Sequence, residues 1–295
     1  MIFRRNKPKE KTVFPEVESF FDPQTNTVTH CVWDRDSKAC AIVDPVLDYD
    51  PKSGKTATDS ADKVIAFVKS KGLSLEWLLE THVHADHITA APHVKAALGG
   101  RIGIGEHISD VQDAWNSIFN YKEGLETDPS AFDHLFKDGD TFKIGTLNAR
   151  VLYTPGHTNV DVAYLIEDSA FVGDTLFMPD YGTARADFPG GDARQLYRSI
   201  KRLLELPDHT RLYMCHDYLP EGRSEYRWMT TVAEERGNVH INGMSEDAFV
   251  AMREARDKSL STPTLLYPSL QINIRAGEKP PAEDNGISYV KIPIE

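Results

Sequence analysis

The chain has 295 residues and a formal net charge of −12 at pH 7, so it lacks the clustered basic surface that binding to nucleic acid requires, and no nucleic-acid partner is expected. Hydrophobic residues at 40% and charged residues at 26% exclude a disordered or fibrous chain and fit a soluble globular protein with a substantial core. Any anionic substrate must then be met by locally placed Arg or Lys side chains.

The start, 1–12, carries a basic run from Arg4 to Lys9 with no apolar stretch behind it, which predicts a flexible terminus and not a secretory signal. From Val13 to Val46 short β-branched runs alternate with turn residues, as in Asn26-Thr27-Val28-Thr29 and Ala41-Ile42-Val43; these read as hairpin strands, ended by Asp44-Pro45. The polar stretch 50–55 reads as loop, and Ser60 as the cap of a helix with Val64, Ile65, Phe67 and Val68 on one face. Leu75 to Leu79 is a buried strand leading into Thr81-His82. A helix then runs to Leu98, where Gly99-Gly100 stop it, and Ile102 to Ile104 is a short strand.

Asp140 to Phe171 reads as successive strands turning at Gly145, Thr154-Pro155-Gly156 and Glu167-Asp168. Asp192 starts a helix through Leu204, and Leu212-Tyr213-Met214 is a buried strand before His216. Beyond Pro220 the pattern turns helical, with Tyr226 to Glu235 and Ser245 to Lys258 as amphipathic segments, then a Pro-rich tail to Glu295. The mixture predicts an α/β fold with sheets inside and helices outside, in a single domain over 13–295 whose C-terminal region, from about 220, is helical and extended. No window approaches the ~18 apolar residues of a membrane helix. Cys31, Cys40 and Cys215 form an odd set without Cys-x-x-Cys spacing, which points away from a disulfide framework and towards a reducing cytoplasm.

The strongest chemical signal is Thr81-His82-Val83-His84-Ala85-Asp86-His87. Imidazoles and a carboxylate clustered in a strand-to-helix loop can converge on a metal while the flanking elements fix their directions. Three more pieces follow apolar strands: Gly156-His157, Gly173-Asp174 and Cys215-His216. Alone, His157 reads as a turn histidine, Asp174 as a turn former and His216 as a buried core histidine. Together with the first cluster they read as one distributed metal site.

This set and order resembles the metallo-β-lactamase superfamily, over roughly 13–218. The likeness implies a four-layer αββα sandwich with metal at one sheet edge. It implies one site drawing on His82, His84 and His157, another on Asp86, His87 and His216, and Asp174 able to bridge them. The stretch from Gly173-Asp174-Thr175-Leu176-Phe177 to Arg185-Ala186-Asp187-Phe188 resembles the persulfide dioxygenases, and glyoxalase II hydrolases more distantly. In the dioxygenases the residues matching His82, His157 and Asp174 hold one Fe(II), leaving His84, Asp86, His87 and His216 around it or as a second metal site.

Two imidazoles and one carboxylate leave positions for both a persulfide and O2. The implied reaction oxidises glutathione persulfide, or a related small persulfide, to sulfite and thiol in sulfide detoxification. Arg185 is a candidate to grip an anionic thiol carrier, with an ion pair to Asp187 as its alternative; Tyr218 is a candidate hydrogen-bond donor near the metal. Cys215 reads as a small buried hydrophobe. The insertion at 48–54 and the tail from Leu265 look like a bacterial branch. The alternative is a hydrolase with two Zn per chain cleaving thioesters, and Phe20, Phe21 and the tail are candidates for a homodimer contact.

Overall fold

The computed structural model describes residues 14–120 and 129–294; the expected flexible start, 1–12, lies outside them. In chain order the elements are β1 (Glu16–Asp22), β2 (Thr27–Trp33), β3 (Ala39–Val43), β4 (Val46–Asp50), β5 (Lys55–Ala57), α1 (Asp59–Ser70), β6 (Ser74–Leu79), β7 (Ile88–Thr89), α2 (Ala91–Leu98), β8 (Arg101–Gly105) and α3 (Ile108–Phe119). After the undescribed gap come β9 (His134–Phe136), β10 (Thr141–Ile144), β11 (Leu147–Tyr153), β12 (Val162–Ile166), β13 (Ser169–Phe171), α4 (Ala193–Leu203), β14 (Arg211–Tyr213), β15 (Met229–Thr231), α5 (Val232–Glu235), α6 (Glu246–Asp257) and α7 (Leu266–Asn273).

Two six-stranded sheets carry the fold, in orders β1-β2-β3-β6-β8-β9 and β10-β11-β12-β13-β14-β15. Because side chains alternate across a strand, each sheet presents an apolar face to both sides. Val32, Ala41, Trp77, Leu79, Val151, Tyr164 and Phe171 fill the space between the sheets. Val64, Val68, Val94, Ile104, Val111 and Trp115 seal the first sheet under α1, α2 and α3. Leu196, Ile200, Leu203, Leu212 and Phe249 seal the second under α4 and α6. The result is the expected α-β-β-α layering. No helix among the described residues is long and apolar enough to cross a membrane.

The differences from the sequence reading have local causes. Ser60 is not the cap of α1: its backbone N–H and hydroxyl both donate to Asp48, at 2.9 and 2.7 Å. The helix therefore starts earlier, with Thr58 at the N-cap, because a carboxylate from β4 supplies an acceptor that helix starts ordinarily take from their own cap. The polar stretch 50–55 is the turn of the β4–β5 hairpin. Tyr226 to Glu235 is not one helix, since Met229–Thr231 pairs antiparallel with β14 and Thr231 then opens α5 through a capping box with Glu234. The Pro-rich tail contains α7, and α3 falls where no element was expected.

Phe20 packs edge-on against Phe67 and Phe21 stacks on Trp228, so both expected dimer-contact rings have partners within the chain.

Candidate metal centre

The strands β6, β11, β13 and β14 all deliver their following residues to one edge of the two sheets. Tertiary links hold that edge: Val28 N–H donates to the Cys215 carbonyl at 2.7 Å, and Val162 N–H to the Thr81 carbonyl at 2.9 Å. Glycine is required twice. Gly156 has φ 145° and a Cβ there would lie 2.3 Å from the backbone of Leu196; Gly173 has φ 51° and a Cβ there would lie 2.7 Å from the Thr81 hydroxyl. Both precede a candidate ligand, so His157 and Asp174 sit where only a residue without a side chain lets the backbone come close enough.

His82, His157 and Asp174 place their donor atoms within 4.8 Å of one another. The Asp174 Oδ2 is 3.6 Å from His157 Nε2 and 4.0 Å from His82 Nε2. Its other oxygen, Oδ1, is 3.3 Å from His216 Nε2, and His216 Nε2 is 3.4 Å from Asp86. His84, Asp86 and His87 form a second group of the same tightness. All seven residues expected at the metal are therefore brought together, with Asp174 between the two halves.

The donor set fits a metal by a direct structural criterion. His82 Nε2, His84 Nδ1, His87 Nε2, His216 Nε2 and Asp174 Oδ1 are all buried and have no hydrogen-bond partner, although buried polar atoms are ordinarily satisfied. The opposite edge of each ring is occupied. His157 Nδ1 donates to the Arg185 carbonyl at 2.8 Å, His216 Nδ1 to the Asn26 carbonyl at 3.2 Å, and His84 Nε2 to Asp44 at 3.0 Å. Such partners fix the tautomer and leave a lone pair aimed at the centre. Burial above all holds His82 well below its ordinary pKa, in the neutral form a ligand needs. Burial opposes the charge on Asp86, yet His216 and His87 draw its carboxyl well below the usual range.

Asp44 is the residue that reading the sequence missed. Its carboxylate accepts from Thr81 N–H (2.8 Å) and the Thr81 hydroxyl (2.9 Å) as well as from His84, so it braces the whole first motif from behind. Its backbone is in the left-handed region, at φ 50°, a conformation Asp tolerates better than most residues. In the sequence it reads only as the strand-ending partner of Pro45.

A cleft of about 480 Å³ opens over the centre, with Asp86, His157 and Asp174 on its floor. Phe177, Tyr181 and Tyr218 form one wall; Leu47, Tyr49 and Pro51 of the β4–β5 hairpin form another, so the insertion at 48–54 shapes the entrance. Tyr218 stacks between His216 and Tyr181. Burial, then the charges of Asp174 and Asp86, raise its phenol well above the ordinary value, so it stays a donor. Arg185 lines the cleft, but its guanidinium is spent on Asp187 in a fork of 2.6 and 2.8 Å and on the Ser261 carbonyl. The alternative weighed for Arg185 is thus the observed contact. Arg253 is likewise paired, with Asp257. Arg256 enters none of these ion pairs and stands exposed on the same wall, against the Tyr181 hydroxyl. Burial, then the charge of Asp44, pushes the Cys215 thiol up, which suits an inert core residue.

A two-sheet sandwich with seven convergent His and Asp side chains at one edge, able to hold metal, defines the class as a metal-dependent enzyme. The family model of the metallo-beta-lactamase superfamily matches residues 25–216, and the chain belongs to that superfamily. It is 54% identical to a probable metallo-hydrolase of Burkholderia pseudomallei, over 95% of this chain and 99% of that one. It is 49% identical to glyoxylase B2 of Dictyostelium discoideum, over 98% of each. Mitochondrial persulfide dioxygenase ETHE1 of Homo sapiens is 28% identical over 90% of both chains. The crystal structure of ETHE1 from Myxococcus xanthus superposes with a TM-score of 0.71 at 29% identity, covering 89% of this chain and all of that one. The chain spans 65% of the length of a β-lactamase hydrolase-like protein of Xylella fastidiosa, at 51% identity.

Proposed function

We propose that the chain is a persulfide dioxygenase with one Fe(II) held by His82, His157 and Asp174. The observation that carries this reading is the two-imidazole, one-carboxylate face, with donor atoms within 4.8 Å of one another, whose His157 and Asp174 open directly onto the cleft. That donor set suits non-haem iron and leaves room for two reactants. The likeness to ETHE1 in structure and sequence supports it. Iron would supply the redox chemistry by which dioxygen and a persulfide react.

In balance, one persulfide anion, one O2 and one water give one thiol, one sulfite and a proton; the terminal sulfur is oxidised and dioxygen is reduced. The chain's own residues do the rest. Phe177, Phe188, Leu260 and Leu265 wall the cleft with apolar surface and keep water from the reacting sulfur. Tyr218, held protonated, donates a hydrogen bond beside Asp174. Arg256 meets a carboxylate of the thiol carrier, glutathione being the default, and holding the carrier there converts encounter into a positioned reaction. The unpaired buried thiols suit a reducing cytoplasm.

A second reading, a two-zinc thioester hydrolase, is favoured by the partnerless ligand atoms of His84, His87 and His216 and by the names of the Burkholderia and Dictyostelium relatives. Elemental analysis of anaerobically purified protein, with an oxygen electrode and glutathione persulfide, separates the two. One iron per chain and persulfide-dependent oxygen uptake are expected. Two zincs per chain, hydrolysis of a glutathione thioester and no oxygen uptake would overturn the dioxygenase.

A further inference from the structure

The loop from His84 to Thr89 carries three of the candidate ligands, yet its backbone is secured from the far end of the chain. Asn273, the last residue of α7, is buried at 4% exposure. Its Nδ2 donates to the carbonyls of His84 (2.9 Å) and His87 (2.8 Å), and its Oδ1 accepts from the Thr89 N–H at 2.9 Å. The carboxamide thereby uses both N–H groups and its oxygen on one loop. Without it, the carbonyls of His84 and His87 and the Thr89 N–H would lose these partners, and a buried polar group left without a partner is destabilising.

The neighbouring backbone is keyed into the same place. Gln112 of α3 donates to the Ile274 carbonyl at 2.8 Å, and a Cβ on Gly277 would lie 2.6 Å from Pro92 at the start of α2. Asn273 is not among the residues that line the cleft, and its carboxamide bonds to backbone atoms of the loop. It acts on the carbonyls of His84 and His87, and fixing a residue's carbonyl fixes the peptide plane and so the direction in which its side chain leaves the backbone.

We propose that Asn273 is the positioning residue of this loop, and that α7, outside the span matched by the family model, sets the ligand geometry of His84, Asp86 and His87. The effect is one-sided. His82 is held through Thr81 and Asp44, and His157 and Asp174 stand on other strands, so they keep their places when the carboxamide is lost. The inference rests on the metal-centre reading and holds for either reaction.

The test is Asn273→Asp, which keeps the size and the acceptor for Thr89 but sets an oxygen against two carbonyls, with Gln112→Leu as a packing control at the same docking surface. Histidine ring ¹⁵N spectra of the metal-free protein should show the His84 and His87 signals shifted most and that of His157 unmoved, His82 following only as the ring packed against His84. Cobalt(II) added to the same protein, followed by its visible absorption, should bind roughly 10–100-fold more weakly only at any second equivalent held by His84, Asp86 and His87, while the equivalent at His82, His157 and Asp174 binds as in wild type; the control should match wild type in both measurements. Unchanged His84 and His87 ring signals in Asn273→Asp would overturn the proposal, as would an equal shift of those signals in Gln112→Leu. Should Asn273→Asp not fold, Asn273→Ser is read by the same spectra with the same criteria. Oxygen uptake plays no part in this outcome, so failure of the dioxygenase reading leaves it independently decidable.

Discussion

At the scale of single residues, the centre divides into ligands that share Asp174 and residues that only brace them. His157→Ala and Asp174→Ala are expected to abolish iron retention, because each removes a donor from a three-ligand face. Asp86→Ala should leave iron bound if only that face is used; equal metal loss in all three variants, by elemental analysis, would point to a two-metal centre. For the substrate, the guanidinium contacts favour the second of the two readings of Arg185, the ion pair with Asp187. Arg185 is committed to Asp187 and Ser261, while Arg256 stands exposed on the same wall. Arg256→Ala should therefore raise KM for glutathione persulfide by about tenfold, the loss of one charge-assisted contact, with kcat and metal content held. Arg185→Ala should instead lower the melting temperature, since it leaves Asp187 unpaired and loosens the segment whose carbonyl orients His157. A KM unchanged in Arg256→Ala would remove that residue from the substrate site.

At the scale of elements, α5 and α6 decide how firmly the cleft wall is held. Phe249 of α6 is fully buried and packs against Tyr197 of α4 with ring centroids 5.4 Å apart. Phe249→Ala should cost about 3–5 kcal/mol, read from the denaturant midpoint, and should raise KM through Arg256 on the same helix. In α5, burial pushes Glu235 up to about 8 against the hydrogen bond from Asn238, while an unfolded carboxylate titrates near about 4. Between those values only the folded state keeps the proton, so stability falls as pH rises from about 4 to 8 and is level above. Glu235→Gln cannot ionise. Its melting temperature should stay flatter across that window and exceed wild type at pH 8; parallel curves for the two proteins would show that Glu235 does not titrate there.

At the scale of the whole molecule, the two sheets meet along their shared core and at the ligand edge, where partnerless imidazoles face the Asp174 and Asp86 carboxylates. A metal binding only the folded state adds RT ln(1 + [L]/Kd) to stability. Chelation should therefore lower the melting temperature, and restoring stoichiometric Fe(II) or Zn(II) should recover it. No change on chelation would mean the centre does not retain metal in solution.

The seven candidate ligands that the structure brings together were legible in the sequence because they follow apolar strands in short motifs whose local chemistry is distinctive. The layered architecture was legible too, since alternation and helical spacing are properties of contiguous residues. What stayed hidden was everything that depends on residues far apart in the chain. Nothing local in Asp44-Pro45 says that its carboxylate will brace Thr81 and His84, and nothing near Asn273 says that it will hold a loop whose first residue lies 189 positions earlier. Ser60 gave up its capping role to Asp48, and Arg185, whose ion pair with its near neighbour Asp187 was one of two readings of the sequence, is also held by the Ser261 carbonyl 76 positions away. In both cases a deciding partner was a hydrogen-bonding group brought close by folding, and a group takes whichever partner the packed chain puts within reach.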